Sequence, residues 1–266
     1  MLAFSSLLGN VEGQNIYRIW YDKPASYWEE ALPVGNGRIA AMVFGDPQLE
    51  QIQLNEETVS AGSPYQNYNE EAKTALPEMR RLIFEGKYEE AQNMAATKIL
   101  SQVGNEMPYQ TVGRLNIRYQ DHKKVNNYYR DLDISNAVAV TRYEVDGVEF
   151  TEETFASFTD QLVIRHIKAS KPGTINCELF FNTPMRDPKR SIYGKKGLRL
   201  EGITHGSRYF PGKVHYCADL DVKHKGGKVI TANDTLLSVQ GASELTLYIS
   251  MATNFVNYKD ISGDPY

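Results

Sequence analysis

The chain has 266 residues, of which 41% are hydrophobic and 23% charged, with 29 basic against 33 acidic side chains and a formal net charge of −4. That length and balance fit a globular chain of one large domain or two small ones, able to bury a core without covalent staples. The acidic excess excludes the basic footprint of a nucleic-acid surface, and no run of 18 or more apolar residues offers a membrane-spanning helix.

The first ten residues, Met1-Leu-Ala-Phe-Ser-Ser-Leu-Leu-Gly-Asn10, read as the apolar tail of a signal peptide without its basic front, or as a disordered terminus. Residues 1–13 are therefore set apart from the fold, and the first reading carries an expectation of export to the periplasm or the exterior. Residues 14–266 show no linker and are expected to form a single domain.

From residue 14 to 54 the pattern is that of strands. Gly35-Asn-Gly37-Arg-Ile-Ala40 fits the dinucleotide fingerprint formally, with Glu56 about 20 residues onward. That fingerprint works only between a buried parallel strand and a helix. Here Pro33 interrupts the approach, and Ile39–Phe44 is too short for a helix before Gly45-Asp-Pro47. A hairpin turn, with Asn36 accepting positive φ, is the better account. Its Asn36 and Arg38 can either satisfy turn carbonyls or face a site.

Residues 69–101 change period. Ala72, Leu76, Met79 and Ile83 recur at helical spacing, and after Gly86 a second stripe follows in Tyr88, Ala91, Ala95 and Ile99. Two amphipathic helices are expected, packed as a cap on a sheet, with Pro77 in the first turn of one.

From 113 to 256 alternation returns. Val214, Tyr216, Ala218, Leu220 and Val222 share one strand face; Leu245, Leu247, Ile249 and Met251 share another. Asp146-Gly147, Lys171-Pro-Gly173, Gly226-Gly227 and Asn233-Asp234 mark turns between such runs. About a dozen antiparallel strands with little helix predict a mainly β chain, a large two-sheet sandwich with one short helical insertion. The 17 tyrosines suit cross-strand packing first and sugar stacking second. Cys177 and Cys217 lie on strands and are expected as two free thiols.

The carboxylate pairs Glu56-Glu57 and Glu152-Glu153 invite an acid/base reading. Inverting glycosidases need two carboxyl groups roughly 6.5–9.5 Å apart. Adjacent strand residues point to opposite faces, so each pair predicts one inward, hydrogen-bonded carboxylate and one solvated one. His122, His166, His205, His215 and His224 form no ligand pattern, and no metal site is expected. The polar loop Gly202–Gly212 carries His205, Arg208, Tyr209 and Phe210 between two strands, a place where binding residues often sit.

Several blocks resemble one known family. Trp28-Glu-Glu-Ala-Leu-Pro-Val-Gly-Asn-Gly-Arg-Ile-Ala-Ala-Met-Val-Phe-Gly45 and Glu50-Gln-Ile-Gln-Leu-Asn-Glu-Glu-Thr-Val59 are similar to the opening of glycoside hydrolase family 95, which includes α-L-fucosidases and α-L-galactosidases. Ala40 and Val59-Ser60 depart from the usual Gly and Leu-Trp. Tyr129–Asp133, Tyr143–Gly147, Phe155–Val163, Gly226-Gly227 and Ala252–Val256 continue the likeness in order, so that it covers roughly residues 15–260. The resemblance implies an N-terminal β-supersandwich packed against a helical barrel. It also implies cofactor-free, inverting hydrolysis of terminal α-L-fucosyl or α-L-galactosyl linkages, with glycan as the partner of the whole enzyme. The catalytic acid and the groups that activate water belong to that barrel, absent here, and map onto no residue of this chain. The expectation is a fragment inactive alone, with Asn36, Arg38, Asn55, Glu56, His205 and Arg208 as substrate-binding or interdomain candidates. A structural interaction domain ranks second. A free-standing carbohydrate-binding module, with exposed planar aromatics on one sheet face, ranks third.

Overall fold

A computed structural model describes residues 17–101, 107–207 and 210–266. The leader reading of residues 1–13 and the candidate Arg208 lie outside them.

Sixteen strands occur among the described residues. The first four are β1 (Arg18–Tyr21), β2 (Leu32–Gly35), β3 (Ile39–Val43) and β4 (Leu49–Glu56). Two helices follow, α1 (Ala72–Phe84) and α2 (Tyr88–Met94), with a π-helical turn over Ala95–Ile99. The next six strands are β5 (Gly113–Tyr119), β6 (Asn126–Asp133), β7 (Val138–Val145), β8 (Val148–Ala156), β9 (Val163–Ala169) and β10 (Ile175–Asn182). The last six are β11 (Arg186–Tyr193), β12 (Gly197–Ile203), β13 (His215–Lys225), β14 (Lys228–Asn233), β15 (Leu236–Ala242) and β16 (Glu244–Thr253).

They form two antiparallel sheets, one of nine strands ordered β1-β6-β7-β8-β9-β16-β13-β12-β11 and one of seven ordered β14-β15-β10-β5-β4-β3-β2. The expected sandwich is thus present. Its core lies between the inner faces, with Tyr216, Ala218, Leu220 and Val222 from β13 and Leu245, Leu247, Ile249 and Met251 from β16 all buried. Both cysteines are free and buried. Burial pushes the Cys217 thiol up to about 12 and raises Cys177 still further.

The helical insertion differs from expectation in three ways. Pro77 lies inside α1 rather than in its first turn, where its missing N–H leaves one carbonyl of the preceding turn without its helical donor. The buried residues of α1 are Ala75 and Leu82, while Ile83 is exposed; the covered face is turned slightly from the predicted stripe. The two helices also pack chiefly on each other instead of capping a sheet.

The paired carboxylates behave as adjacent strand residues should. Glu152 and Glu56 point inward and are buried, while Glu153 and Glu57 are exposed. Glu152 belongs to a charged cluster inside the sandwich. Its Oε1 accepts hydrogen bonds from the hydroxyls of Tyr119 and Tyr143, each at 2.9 Å. Its Oε2 pairs with fully buried Arg165, which also donates to Thr154 Oγ1 at 2.8 Å. His122, buried beside them, stacks on Tyr119 with ring centroids 4.2 Å apart.

Glu50 is the costly member. Its side chain is fully buried, 3.7 Å from Arg165, and neither oxygen has a hydrogen bond. Desolvation, only partly offset by Arg165, pushes its carboxyl up to about 7 from the ordinary 4.5. Below the ordinary value Glu50 is protonated folded or unfolded, so stability is at its full level. As pH rises through 7 the folded protein must ionise a buried acid, and that stability is lost. A rise of this size corresponds to roughly 3 kcal/mol at 1.36 kcal/mol per pH unit. Glu50→Gln is expected to flatten the fall in urea stability between about pH 4.5 and 7. An unchanged slope in the variant contradicts this assignment.

Candidate functional site

Four segments meet at one end of the sandwich: the β2–β3 turn, the end of β4, the Ser157–Gln161 loop after β8, and the end of β16. The turn is built on Asn36, whose Oδ1 accepts from the backbone N–H groups of Arg38 (3.0 Å) and Ile39 (2.9 Å). Gly37, not Asn36, takes the positive φ of +95°, since glycine has no Cβ to oppose it. Asn36 Nδ2 then donates across to Ser157 O at 2.8 Å and Gln161 Oε1 at 3.2 Å.

Arg38 closes the junction. Nη2 donates to Met251 O at 2.7 Å and Nη1 to Gln161 Oε1 at 3.4 Å, while Nε lies 3.6 Å from Glu56 Oε1. The other Glu56 oxygen accepts from Thr58 N at 2.8 Å and Thr58 Oγ1 at 2.6 Å. The Thr58 hydroxyl in turn contacts that of Thr253 on β16. Asn36, Arg38 and Glu56 therefore form one connected network that ties the seven-stranded sheet to the nine-stranded one. Arg38 and Asn36 are directed at protein carbonyls, so their geometry is that of a clasp.

Beside the clasp opens a groove of about 670 Å³ whose walls include Glu57, Tyr65, Met107, Phe255, Tyr258 and Ile261. Tyr65 stacks on Phe210 with centroids 4.2 Å apart. Tyr258 is 74% exposed. Asn55, half-buried, pairs with Ala40 on β3 and reaches the Tyr109 hydroxyl, which donates to Glu56 O at 3.1 Å. Asn55 thus borders the network through Tyr109, and neither of the two is among the groove-lining residues.

His205 stands apart from the clasp. Its backbone N–H donates to Gln110 Oε1 at 2.9 Å, its ring Nε2 lies 3.2 Å from Pro184 O, and its carbonyl accepts from Gly62 N at 3.1 Å. It braces the groove wall through Gly62 rather than entering the groove. Its loop is fixed at Gly212, where a Cβ would fall 2.0 Å from Thr204 O. The groove aromatics were not singled out from sequence: Tyr65, Phe255 and Tyr258 lie outside regular strands and carry no periodic signal.

The chemistry this end can perform follows from its acids. Glu56 is committed to Arg38 and Thr58. Among the groove-lining residues named above, Glu57 is the sole carboxylate, and one acid cannot supply the two roles that glycosidic hydrolysis divides between a pair. Among the described residues no group of three or more His, Cys, Asp or Glu side chains is placed to hold a metal ion.

The model of a family described as "Glycosyl hydrolase family 65, N-terminal domain" matches residues 19–258. The chain is 31% identical over 271 residues to α-L-fucosidase 2 of Arabidopsis thaliana, an alignment covering 92% of this chain and 31% of that protein. It is 26% identical to the probable α-fucosidase A of Aspergillus niger, covering 89% of this chain and 30% of that one. The chain thus spans about a third of the length of the curated relatives it matches. A solved putative kojibiose phosphorylase from human microbiome aligns over 95% of this chain and 33% of its own, with 10% identity and a TM-score of 0.47.

Proposed function

The chain belongs to the family of glycosyl hydrolase family 65 N-terminal domains, and from that premise we propose that it is the non-catalytic β-sandwich domain of an inverting exo-glycosidase of α-L-fucosidase type. The whole enzyme acts on terminal α-L-fucosyl or α-L-galactosyl residues, as in the family 95 enzymes whose motifs the sequence resembles. The names of the curated relatives support the hydrolase class. The observation that carries the non-catalytic role is the commitment of Glu56, which leaves Glu57 as the groove's open acid.

On this reading, a helical barrel supplies both reacting groups. One protonates the leaving oxygen while the other activates a water on the opposite face of the sugar. The role of this domain is to hold a rigid end against the barrel. The clasp fixes the relative position of the two sheets, and the Asn55–Glu57 segment, with the groove aromatics, forms the contact face.

The test is L-fucose and L-galactose release from fucosyllactose-type and xyloglucan-type glycans, by the 266-residue chain and by a polypeptide extended through the downstream coding sequence. Release by the longer polypeptide alone is expected, and the sugar released fixes the specificity. Turnover by the chain itself, abolished by Asn55→Ala or Glu56→Gln, contradicts the non-catalytic role. The same reading includes export, for which a mature protein that retains Met1–Asn10 on N-terminal sequencing is the opposing result.

A further inference from the structure

The outer face of the nine-stranded sheet carries a second constellation at its β1 edge. Trp20 lies opposite Asp131, and Tyr129 lies opposite Arg142. Alternation along β6 therefore places Trp20, Tyr129, Asp131 and Arg142 on one face. The Trp20 and Tyr129 rings are within 21° of parallel, with centroids 6.2 Å apart, and Trp20 is 59% exposed. A register shift between Asn126 and Tyr129 marks a bulge, and within it Asn127 holds a φ of +52°. Bulges re-aim side chains, and strain at a non-glycine residue persists where surroundings enforce it.

The polar groups around the rings are unevenly used. Asp131 is fully buried, yet neither carboxylate oxygen receives a hydrogen bond. Arg18 Nη1 stands 2.9 Å from one oxygen and Arg142 Nη1 3.8 Å from the other. Arg18 Nε also lacks a hydrogen-bond partner. Next to the rings is a hollow of about 360 Å³ walled in part by Asn127, Tyr129, Arg142, Glu144, Glu149 and Thr151, within the size range of small-ligand sites. It presents donors and acceptors side by side, with Asn127 donating to Glu144 Oε2 at 3.0 Å.

We propose that this face is an oligosaccharide-binding surface, with Trp20 and Tyr129 taking the C–H face of a sugar ring and Arg142, Asn127, Glu144 and Glu149 taking its hydroxyls. A neutral polyol fits because hydroxyls both donate and accept, as the walls require, while aromatic rings hold an apolar face. An anionic ligand does not fit, because Arg18 and Arg142 are outnumbered by Asp131, Asp133, Glu144 and Glu149. The hollow begins at Thr151, about six residues along β8 from Ser157 and roughly 20 Å at 3.3 Å per residue, so it is separate from the groove. Its role is to hold glycan near the enzyme without reacting it. The choice of fucosylated probes rests on the glycosidase reading above.

The experiment is a tryptophan-fluorescence titration of the full 266-residue chain in a Trp28→Phe background, which leaves Trp20 as the reporter. The probes are 2′-fucosyllactose, fucosylated xyloglucan oligosaccharide and lactose. A saturable response is expected. Calorimetry on chains that keep Trp28 is expected to show affinity lowered at least about tenfold by Tyr129→Ala or Trp20→Ala, and less by Trp20→Phe, with unchanged thermal midpoints. No saturable response to any probe overturns the proposal, as does binding that survives both Trp20→Ala and Tyr129→Ala. Binding is read on this chain and hydrolysis on the longer polypeptide, so failure of either is seen without the other.

Discussion

Replacing Arg165 by methionine is expected to destabilise the domain by about 3–5 kcal/mol, the range for removing one partner of a buried ion pair, a large fraction of the roughly 5–15 kcal/mol that holds an ordinary domain folded. The arginine is wholly buried and stands between Glu152 and Glu50. Desolvation opposes its charge, while the two carboxylates favour it and hold its pKa above the ordinary value. Without the guanidinium, two buried acids face each other with no cation, and folding must wait for both to take up protons. Tyr119 and Tyr143 still donate to Glu152, so the loss falls most heavily on Glu50, which has no hydrogen bond. Combining Arg165→Met with Glu50→Gln and Glu152→Gln should recover much of the stability, because removing a buried charged set together costs far less than orphaning part of it. Urea titration of the three proteins tests this. An Arg165→Met stability within about 0.5 kcal/mol of the parent, the ordinary range for surface changes, rules it out.

Arg38→Ala is expected to cost about 2–3 kcal/mol, less than Arg165 because the Arg38 side chain is about a third exposed. Three things go at once: the bond to the Met251 carbonyl, the bond to Gln161 and the counter-charge of buried Glu56. The effect should also be local. Hydrogen exchange is expected to quicken in Ser157–Gln161 and at the end of β16 while the centre of β13 stays protected. Arg38→Lys keeps the charge but loses the fork geometry, so it should restore less than half of the stability. Uniform exchange changes across the domain, or full rescue by lysine, would mean that the junction does not depend on the guanidinium geometry.

Much of the sandwich was legible because half-buried strands repeat every two residues, as in Val214–Val222 and Leu245–Met251. The helical stripe was legible too, but its phase slipped at Ile83 because Ala75, small and easily passed over, marks the covered face. Asn36, Arg38 and Glu56 could be found as polar residues on a constrained turn and strand end. Their use as a clasp could not, since Met251, Gln161 and Thr253 are distant in sequence. The inward charges had a usable signal: Glu50 shares parity with Ile52 and Leu54, and Arg165 with Val163 and Ile167. A charge on an apolar parity implies a buried partner. The groove had none, because its wall assembles from loops whose meeting depends on the closed fold.

The place of β16 in the nine-stranded sheet sets the timing of assembly. This strand lies between β9 and β13, so the five strands on one side and the three on the other are joined by residues 244–253. On the ribosome, neither half can complete its ladder until that stretch has left the exit tunnel. The edges of β9 and β13 then stay unpaired until more than two hundred residues have been made, the condition that makes large non-local β folds slow and aggregation-prone. Yield in cells should therefore respond to chaperone supply and translation speed as well as to equilibrium stability.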